Sequence, residues 1–229
     1  MLSSLTLLLF PFLASAHFKL DFPTSRGFDE DLLVNGPCGS QNTPSSNRTL
    51  IALTSSGSAS FPIQLTMGHD EAEVQVNLAL GNNAVAASRF NINLVKTFEE
   101  EGLGAFCMKD IEIPSSLNIT DGTNATLQVI TNGDPNGGLY NCADLTFTTA
   151  TASAATYTSC KNNTGVTATP ISGAVVNANG SSSSGSSSTS AASGTAASSS
   201  STGTSAANTL VVAGWGSLLG ALGVVVAAL

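Results

Sequence analysis

Two histidines, His17 and His69, are the only imidazoles in a chain of 229 residues. The first follows Ala14-Ser15-Ala16, a small-residue pattern of the kind a signal peptidase cuts, and that pattern follows the apolar run Leu5 to Leu13. No basic residue precedes the run, so the leader lacks the usual charged start. Cleavage after Ala16 would give a mature chain that begins at His17, with a free α-amine beside its imidazole. The amine and Nδ1 of one such residue form a bidentate nitrogen chelator, and neutral imidazole suits copper, zinc and nickel. An α-amine, with an ordinary pKa of about 7.7–8, gives up its proton readily to a metal. A third nitrogen from His69 completes a T-shaped set, and three nitrogens with tetragonal positions left open favour copper. The plainer reading makes His17 an accident of the cleavage site and His69 a solvated loop residue.

Strands must position this pair. His69 sits in Gly68-His69-Asp70-Glu71, between two segments of two-residue periodicity. Phe61, Ile63, Leu65 and Met67 alternate with polar residues, and so do Val74, Val76, Leu78 and Leu80. Both segments read as half-buried strands, which puts His69 at a hairpin tip or strand end. His17 to Phe22 alternates until Pro23 and reads as a short extended segment. Thr49 to Leu53, Arg89 to Val95, Ile111 to Ile113, Thr126 to Ile130 and Tyr140 to Thr148 supply further strands. Turns fall at Asn35 to Gly39, Gly81 to Asn83 and Asn132 to Gly138. The acidic runs Asp29 to Asp31 and Glu99 to Glu101 read as solvated loops. Short strands with little helical periodicity predict an all-β chain, an immunoglobulin-like antiparallel β-sandwich. Tyr140, two residues before Cys142, fits the tyrosine-corner spacing of such domains.

Charge divides the chain. All seven Lys and Arg and all fifteen Asp and Glu lie between Lys19 and Lys161, and the net charge is −8. That balance argues against nucleic acid as a partner and against a basic membrane-surface helix. Residues 1–16 read as a signal peptide, and 17–170 as one domain large enough for a single hydrophobic core. Residues 171–209 are a disordered stalk rich in Ser, Gly and Thr, too polar to bury a core, and 210–229 are an apolar tail. No Lys or Arg follows the tail, and small residues and a polar spacer precede it, the arrangement of a GPI-anchor signal. A tail-anchored or single-pass helix is the other reading of 210–229. With the anchor, the protein is expected on the outer leaflet of the plasma membrane or in the cell wall, held to the membrane by lipid alone.

Cys38, Cys107, Cys142 and Cys160 all fall in the domain and form no C-x-x-C pair; in a secreted protein they join as two disulfides. Their spacing leaves three connectivities open, and Cys38–Cys142 with Cys107–Cys160 is the working expectation. Sequons at Asn47, Asn118, Asn124, Asn162 and Asn179 are expected to mark exposed, glycosylated loops.

Several of these segments together resemble one family. They are the His17-Phe18 start after a signal peptide, the Met67-Gly68-His69-Asp70 loop, the Tyr140-Asn141-Cys142-Ala143-Asp144 strand and the Ser-rich anchored tail. The resemblance is to fungal copper-binding proteins that are similar to lytic polysaccharide monooxygenases and include the copper acquisition factors. It covers His17 to about Cys160 and extends to the tail. It implies a sandwich that holds one Cu(II) in a histidine brace of His17 and His69, with Asp144 as the carboxylate ligand. Asp144 shares a strand face with Cys142, and a carboxylate beside Cu(II) offsets its charge. A salt-bridged or surface aspartate is the alternative. Asp70 and Glu71, beside His69, read as solvated or as partners of a ligand.

No H-E-x-x-H, G-x-S-x-G or phosphate loop occurs. With both histidines assigned to metal, none is left as a base for a Ser or Cys nucleophile. Three function classes remain. One is a cell-surface copper binder without turnover, serving copper acquisition, homeostasis or wall biology. The second is a lytic polysaccharide monooxygenase, and the third a metal-free wall protein or adhesin. A carboxylate ligand would stabilise Cu(II) and fill space that a reactive oxygen species needs. The domain also holds no tryptophan (Trp215 lies in the tail) and only Tyr140 and Tyr157, so a flat aromatic platform for a glycan is hard to assemble. The resembling family binds copper without cleaving polysaccharide, which points the same way. The expectation is therefore a monomeric, non-enzymatic copper binder. A plasma-membrane copper transporter or wall components are the further partners it would meet.

Overall fold

The computed structural model describes residues 17–133, 137–151, 154–172 and 177–181. The expected leader, most of the stalk and the tail lie outside the described residues. Among these residues nine strands follow one another: β1 Phe18–Phe22, β2 Thr49–Ala52, β3 Ala59–Met67, β4 Glu71–Leu80, β5 Ile92–Glu101, β6 Gly104–Ile113, β7 Asn124–Asn132, β8 Gly138–Thr148 and β9 Thr167–Pro170. They build a three-stranded sheet in the order β1-β3-β6 and a six-stranded sheet in the order β2-β8-β7-β4-β5-β9. Every strand pairing is antiparallel except that of β2 with β8. The all-β immunoglobulin-like sandwich expected from the periodicity is the observed fold, with that one parallel pair added.

The alternating residues supply the core. Phe61, Ile63, Leu65 and Met67 from β3 and Val74, Val76 and Leu78 from β4 pack with Phe18, Leu20, Leu127, Leu145 and Phe147 between the sheets. Burying one such side chain stabilises by about 1.5–3 kcal/mol, so a one-residue slip that turned a whole strand outward would be prohibitive. Leu80, expected inward, is the last residue of β4 and is exposed, because the strand runs past the edge of the core. The run Glu99 to Glu101, expected as a solvated loop, ends β5. Glu101, Glu100 and Glu99 pair with Glu71, Ala72 and Glu73, so ladder pairing overrides the poor strand propensity of Glu.

Irregular chain covers the outer side of each sheet, and a disulfide pins each cover. Residues 23–48 wrap the edge and outer face of β8, held by Cys38–Cys142. Gly39 has φ +59, and a Cβ there would meet the Tyr140 carbonyl oxygen at 2.7 Å, so glycine is what lets this cover lie close to β8. Tyr157 to Asn163 runs across the three-stranded sheet, held by Cys107–Cys160. Tyr157 stacks on Phe22 with ring centroids 4.5 Å apart, and the Lys161 N–H donates to Gln64 Oε1 at 3.1 Å. The working disulfide pairing is the one the fold forms. Both bridges link residues far apart in sequence, so each restrains the unfolded chain by a few kcal/mol, about 3–5 for loops of this length.

Candidate metal centre

The register of β1 against β3 decides where His17 stands. Phe18 pairs with Met67, so the preceding residue lies opposite Gly68, whose N–H donates to the His17 carbonyl at 2.8 Å. His69 is the next residue, on the connection from β3 to β4. Two imidazoles far apart in sequence therefore arrive at adjoining backbone positions at one end of the sandwich. Their side chains are 27% and 31% exposed, so both rings sit at the surface rather than in the core.

Each ring has a particular environment. His69 Nδ1 lies 2.8 Å from the Glu71 carbonyl oxygen and 3.3 Å from the Glu71 nitrogen. The two contacts belong to opposite tautomers: a proton on Nδ1 donates to that carbonyl and leaves Nε2 with its lone pair for a metal, whereas a bare Nδ1 accepts from the Glu71 N–H. Asp70 Oδ1 is 3.3 Å from the same Nδ1. His17 Nδ1, the nitrogen a bidentate chelate needs, is 2.8 Å from Glu30 Oε1. That contact lacks hydrogen-bond geometry, so no directed bond within the described residues ties the nitrogen up.

Glu30 is the residue that sequence reasoning missed. It opens a single 3-10 turn, Glu30–Leu32, whose start is capped by Asp29: the Asp31 N–H donates to the Asp29 carboxylate at 3.2 Å. The acidic run looked like solvent-facing loop, and no periodicity or spacing marks one member as aimed at His17. Asp29 and Asp31 are exposed, as expected.

The donor chemistry fits copper in part. Among the described residues no three His, Cys, Asp or Glu side chains are grouped to hold a metal ion. The third nitrogen of the expected set is an α-amine, which exists only in a chain that starts at His17. The set that would hold Cu(II) is thus that amine, His17 Nδ1 and His69 Nε2.

Asp144 does not join them, and the expectation that it ligates metal is corrected here. Gly138 pairs with Asn132, whose Oδ1 accepts from the Glu73 N–H, so the start of β8 is at the His69 end. Asp144 lies six residues further along, about 20 Å at 3.3 Å per residue. Its carboxylate is consumed where it stands. Arg26 Nε donates to Oδ2 and Arg26 Nη2 to Oδ1, both at 2.8 Å; the Ser45 N–H donates to Oδ2 at 2.6 Å and Thr126 Oγ1 to Oδ1 at 2.7 Å. The Arg26 and Asp144 side chains are 2% and 0% exposed. Burial pushes the Asp144 carboxyl up, but the hydrogen bonds from Arg26, Ser45 and Thr126 and the guanidinium charge together hold it below the usual carboxylate range. Asp144 does share a face with Cys142, and residues 23–48, which carry no periodicity, close over that face.

Of the sequons, Asn47, Asn118 and Asn162 are exposed. Asn124 instead opens β7, where its Oδ1 accepts from Thr146 Oγ1 at 2.5 Å. Asn179 is half-buried against Tyr140.

A two-sheet sandwich that sets an expected N-terminal histidine beside a hairpin histidine has the fold and donor types of a transition-metal-binding domain. The chain belongs to the family described as copper acquisition factor BIM1-like, which it matches over residues 15–165. It is 50% identical over 180 residues to an uncharacterized protein of Aspergillus fumigatus, spanning 77% of this chain and 72% of that one. It is 31% identical over 151 residues to the lytic polysaccharide monooxygenase-like protein ham-7 of Neurospora crassa, spanning 59% of this chain and 65% of ham-7. It is also 31% identical over 140 residues to the copper acquisition factor BIM1 of Cryptococcus neoformans, spanning 58% of this chain and 60% of BIM1. The matched region is thus under two thirds of the length of the last two relatives. Membership in this family supports a copper-related function for the chain.

Proposed function

We propose that the mature chain begins at His17 and binds one Cu(II) as cargo through its α-amine, His17 Nδ1 and His69 Nε2. On this reading it is a copper-handling protein of the cell surface, carried on a GPI-anchored stalk, and does not cleave polysaccharide. The observation that carries the reading is the β1–β3 register, which puts His17 opposite Gly68 and so beside His69. The Glu71 carbonyl supports it, because in the tautomer that donates to it from Nδ1 the His69 Nε2 keeps its lone pair for a metal. Bound copper supplies a Lewis-acidic centre with open tetragonal positions, through which it can pass to another set of ligands. The chain's own part is to preorganise two partly exposed imidazoles at one end of the sandwich, with His17 Nδ1 itself shielded from solvent. Release should accompany acidification, because amine and imidazoles ligate only when unprotonated. Copper acquisition or homeostasis at the membrane, handing the ion to a transporter, fits these parts.

The test is a competitive Cu(II) titration of secreted protein whose first residue has been sequenced. His69→Ala should weaken binding at least about 100-fold, roughly 2.7 kcal/mol. One extra residue ahead of His17 turns the amine into an amide and should do comparable damage. Unchanged affinity in either form removes that group from the site. Copper-loaded protein given reductant, peroxide and a panel of glycans should yield no oxidised oligosaccharides; their appearance would favour the monooxygenase reading.

A further inference from the structure

Away from the histidines, the outer face of the six-stranded sheet carries a groove of about 320 Å³. Its floor is Gln75 and Asn77 of β4 and Gln128 of β7, each less than a tenth exposed, with Asn93 of β5 beside them. No charged side chain among the described residues lines it. An outward strand face usually meets water through charged and polar residues alike. Here half of the lining residues carry side-chain amides, and those of Gln75, Asn77, Asn93 and Gln128 are bonded to one another. Asn77 Nδ2 donates to Gln128 Oε1 at 3.1 Å, while Gln75 Nε2 and Asn93 Nδ2 donate to Asn77 Oδ1 at 3.3 and 3.0 Å. Gln128 Nε2 donates to the Pro37 carbonyl at 2.8 Å, which anchors the row to the cover pinned by Cys38.

These bonds fix which way each amide faces and leave capacity over. An amide has two N–H donors and a carbonyl with two lone pairs. Gln75 and Asn77 each make three internal bonds and Gln128 and Asn93 two each, so every one of them keeps at least one donor or lone pair. The groove is bordered by aromatic rings, Phe90 on the β5 side and Tyr140 on the β8 side. Its volume is at the low end of the roughly 300–1,000 Å³ typical of small-molecule sites. A phosphate, carboxylate or ammonium would find no countercharge here. A wholly apolar ligand would strand the buried amides, at a cost of about 1–3 kcal/mol for each group left unpaired. What suits the lining is an uncharged molecule whose many hydroxyls each donate and accept, with C–H faces to lie against the rings.

We propose that this groove is a binding site for a neutral sugar. Two sources offer the same chemistry. One is a glycan outside the chain. The other is a sugar on Asn179 itself, because the sequon Asn179-Gly180-Ser181 forms one wall. The nitrogen that would carry the sugar, Asn179 Nδ2, donates to the Tyr140 hydroxyl at 3.0 Å. In that case the first sugar rings tie the start of the stalk to the domain. The site shares no residue with the copper ligands, so its success or failure is independent of them.

The experiment compares the secreted chain with its Ser181→Ala form, which loses the sequon but keeps Asn179. Each is titrated with soluble neutral β-glucan and chitin-type oligosaccharides while NMR follows the side-chain amides of Asn77, Asn93 and Gln128. Perturbation confined to Ser181→Ala means that the chain's own sugar fills the groove in the secreted form. Equal perturbation of both means that the source is external. In either case Phe90→Ala with Asn93→Ala, added to Ser181→Ala, should weaken the response by about ten-fold or more with the backbone spectrum retained. No perturbation of these amides in Ser181→Ala at millimolar sugar, or a response that survives the added pair of substitutions, overturns the proposal.

Discussion

The middle of β8 and the His17–His69 end of the sandwich use similar side chains and treat them in opposite ways. Around Asp144 every carboxylate oxygen has two donors, the guanidinium of Arg26 is engaged on every nitrogen, and water is shut out. At the other end two imidazoles stand about a third exposed, and His17 Nδ1 has no directed hydrogen bond among the described residues. Nearby, Glu100 is fully buried with neither oxygen paired among the described residues. A satisfied polar network specifies the fold, whereas unsatisfied groups at an open end raise its free energy and await a ligand or proton. On the proposed function, the difference separates what holds the sandwich together from what binds the ion.

The hardest blow to that contrast is Asp144→Ala. It leaves the Arg26 guanidinium buried without its carboxylate, and breaking such a pair costs about 3–5 kcal/mol, to be read from denaturant unfolding. Copper affinity of the protein that remains folded should not change. A large loss of affinity in the folded fraction would return Asp144 to the metal and erase the distinction between the two regions. The pH dependence has a definite sign. The native carboxyl titrates below its unfolded value, so the pair's contribution is present above about pH 4, the usual Asp range, and fades as acid approaches the native value. Wild type and variant should therefore converge in stability at low pH.

How far the sequence shows this contrast can be followed residue by residue. The inward faces of β3 and β4 are legible because a two-residue period has one reading once a core exists, and Phe61 to Met67 and Val74 to Leu78 obey it. Where each histidine falls is legible for a related reason, an alternating start and a hairpin, but their adjacency rests on the pairing of β1 with β3, which no residue pattern marks. Asp144 was assigned by motif likeness, and its true partner, Arg26, lies in a segment without periodicity that closes over β8 only in three dimensions. Glu30 and Glu100 escaped for the same kind of reason. Runs of acids look solvated in one dimension, and only strand pairing or a turn can bury one member or aim it at a ring.

Glu100 offers a smaller test. Burial, reinforced by the neighbouring Glu101 charge, pushes its carboxyl up from 4.5 to about 7. On this strand end the residue pairs with Ala72 and Ala168, neither of which offers a side-chain donor. Because the native pKa is raised, the stability linked to its proton is complete below about pH 4.5, declines as pH rises, and is lost above about 7. Each unit between unfolded and native pKa is worth 1.36 kcal/mol, so the cost at pH 8 is about 1–3 kcal/mol after allowance for local water. Glu100→Gln keeps the shape without the charge. It should match wild type in thermal melts near pH 4 and exceed it by a few degrees at pH 8. Equal melting temperatures at both pH values would mean that Glu100 finds a partner in solution, and the open end would be less strained than the contrast requires.

Glu30 gives the finest cut. Its carboxylate, on a side chain 55% exposed, stands 2.8 Å from His17 Nδ1. An exposed ion pair of that kind contributes only about 0–1 kcal/mol to folding, so Glu30→Gln should leave thermal stability nearly unchanged. Beside a bound cation the same carboxylate has a second effect, because it offsets charge and restrains the ring that chelates. Groups in contact with a ligand's ring change metal affinity by about 10–100-fold, and this exposed one belongs at the lower limit, near ten-fold. Competitive Cu(II) titration reads the affinity, and the electron paramagnetic resonance spectrum reads the field at the ion. A ten-fold loss with shifted spectral parameters and an intact melt would assign Glu30 to the functional end of the molecule. Unchanged affinity and spectrum would leave it a surface acid, and the asymmetry between the two regions would then rest on the histidines alone.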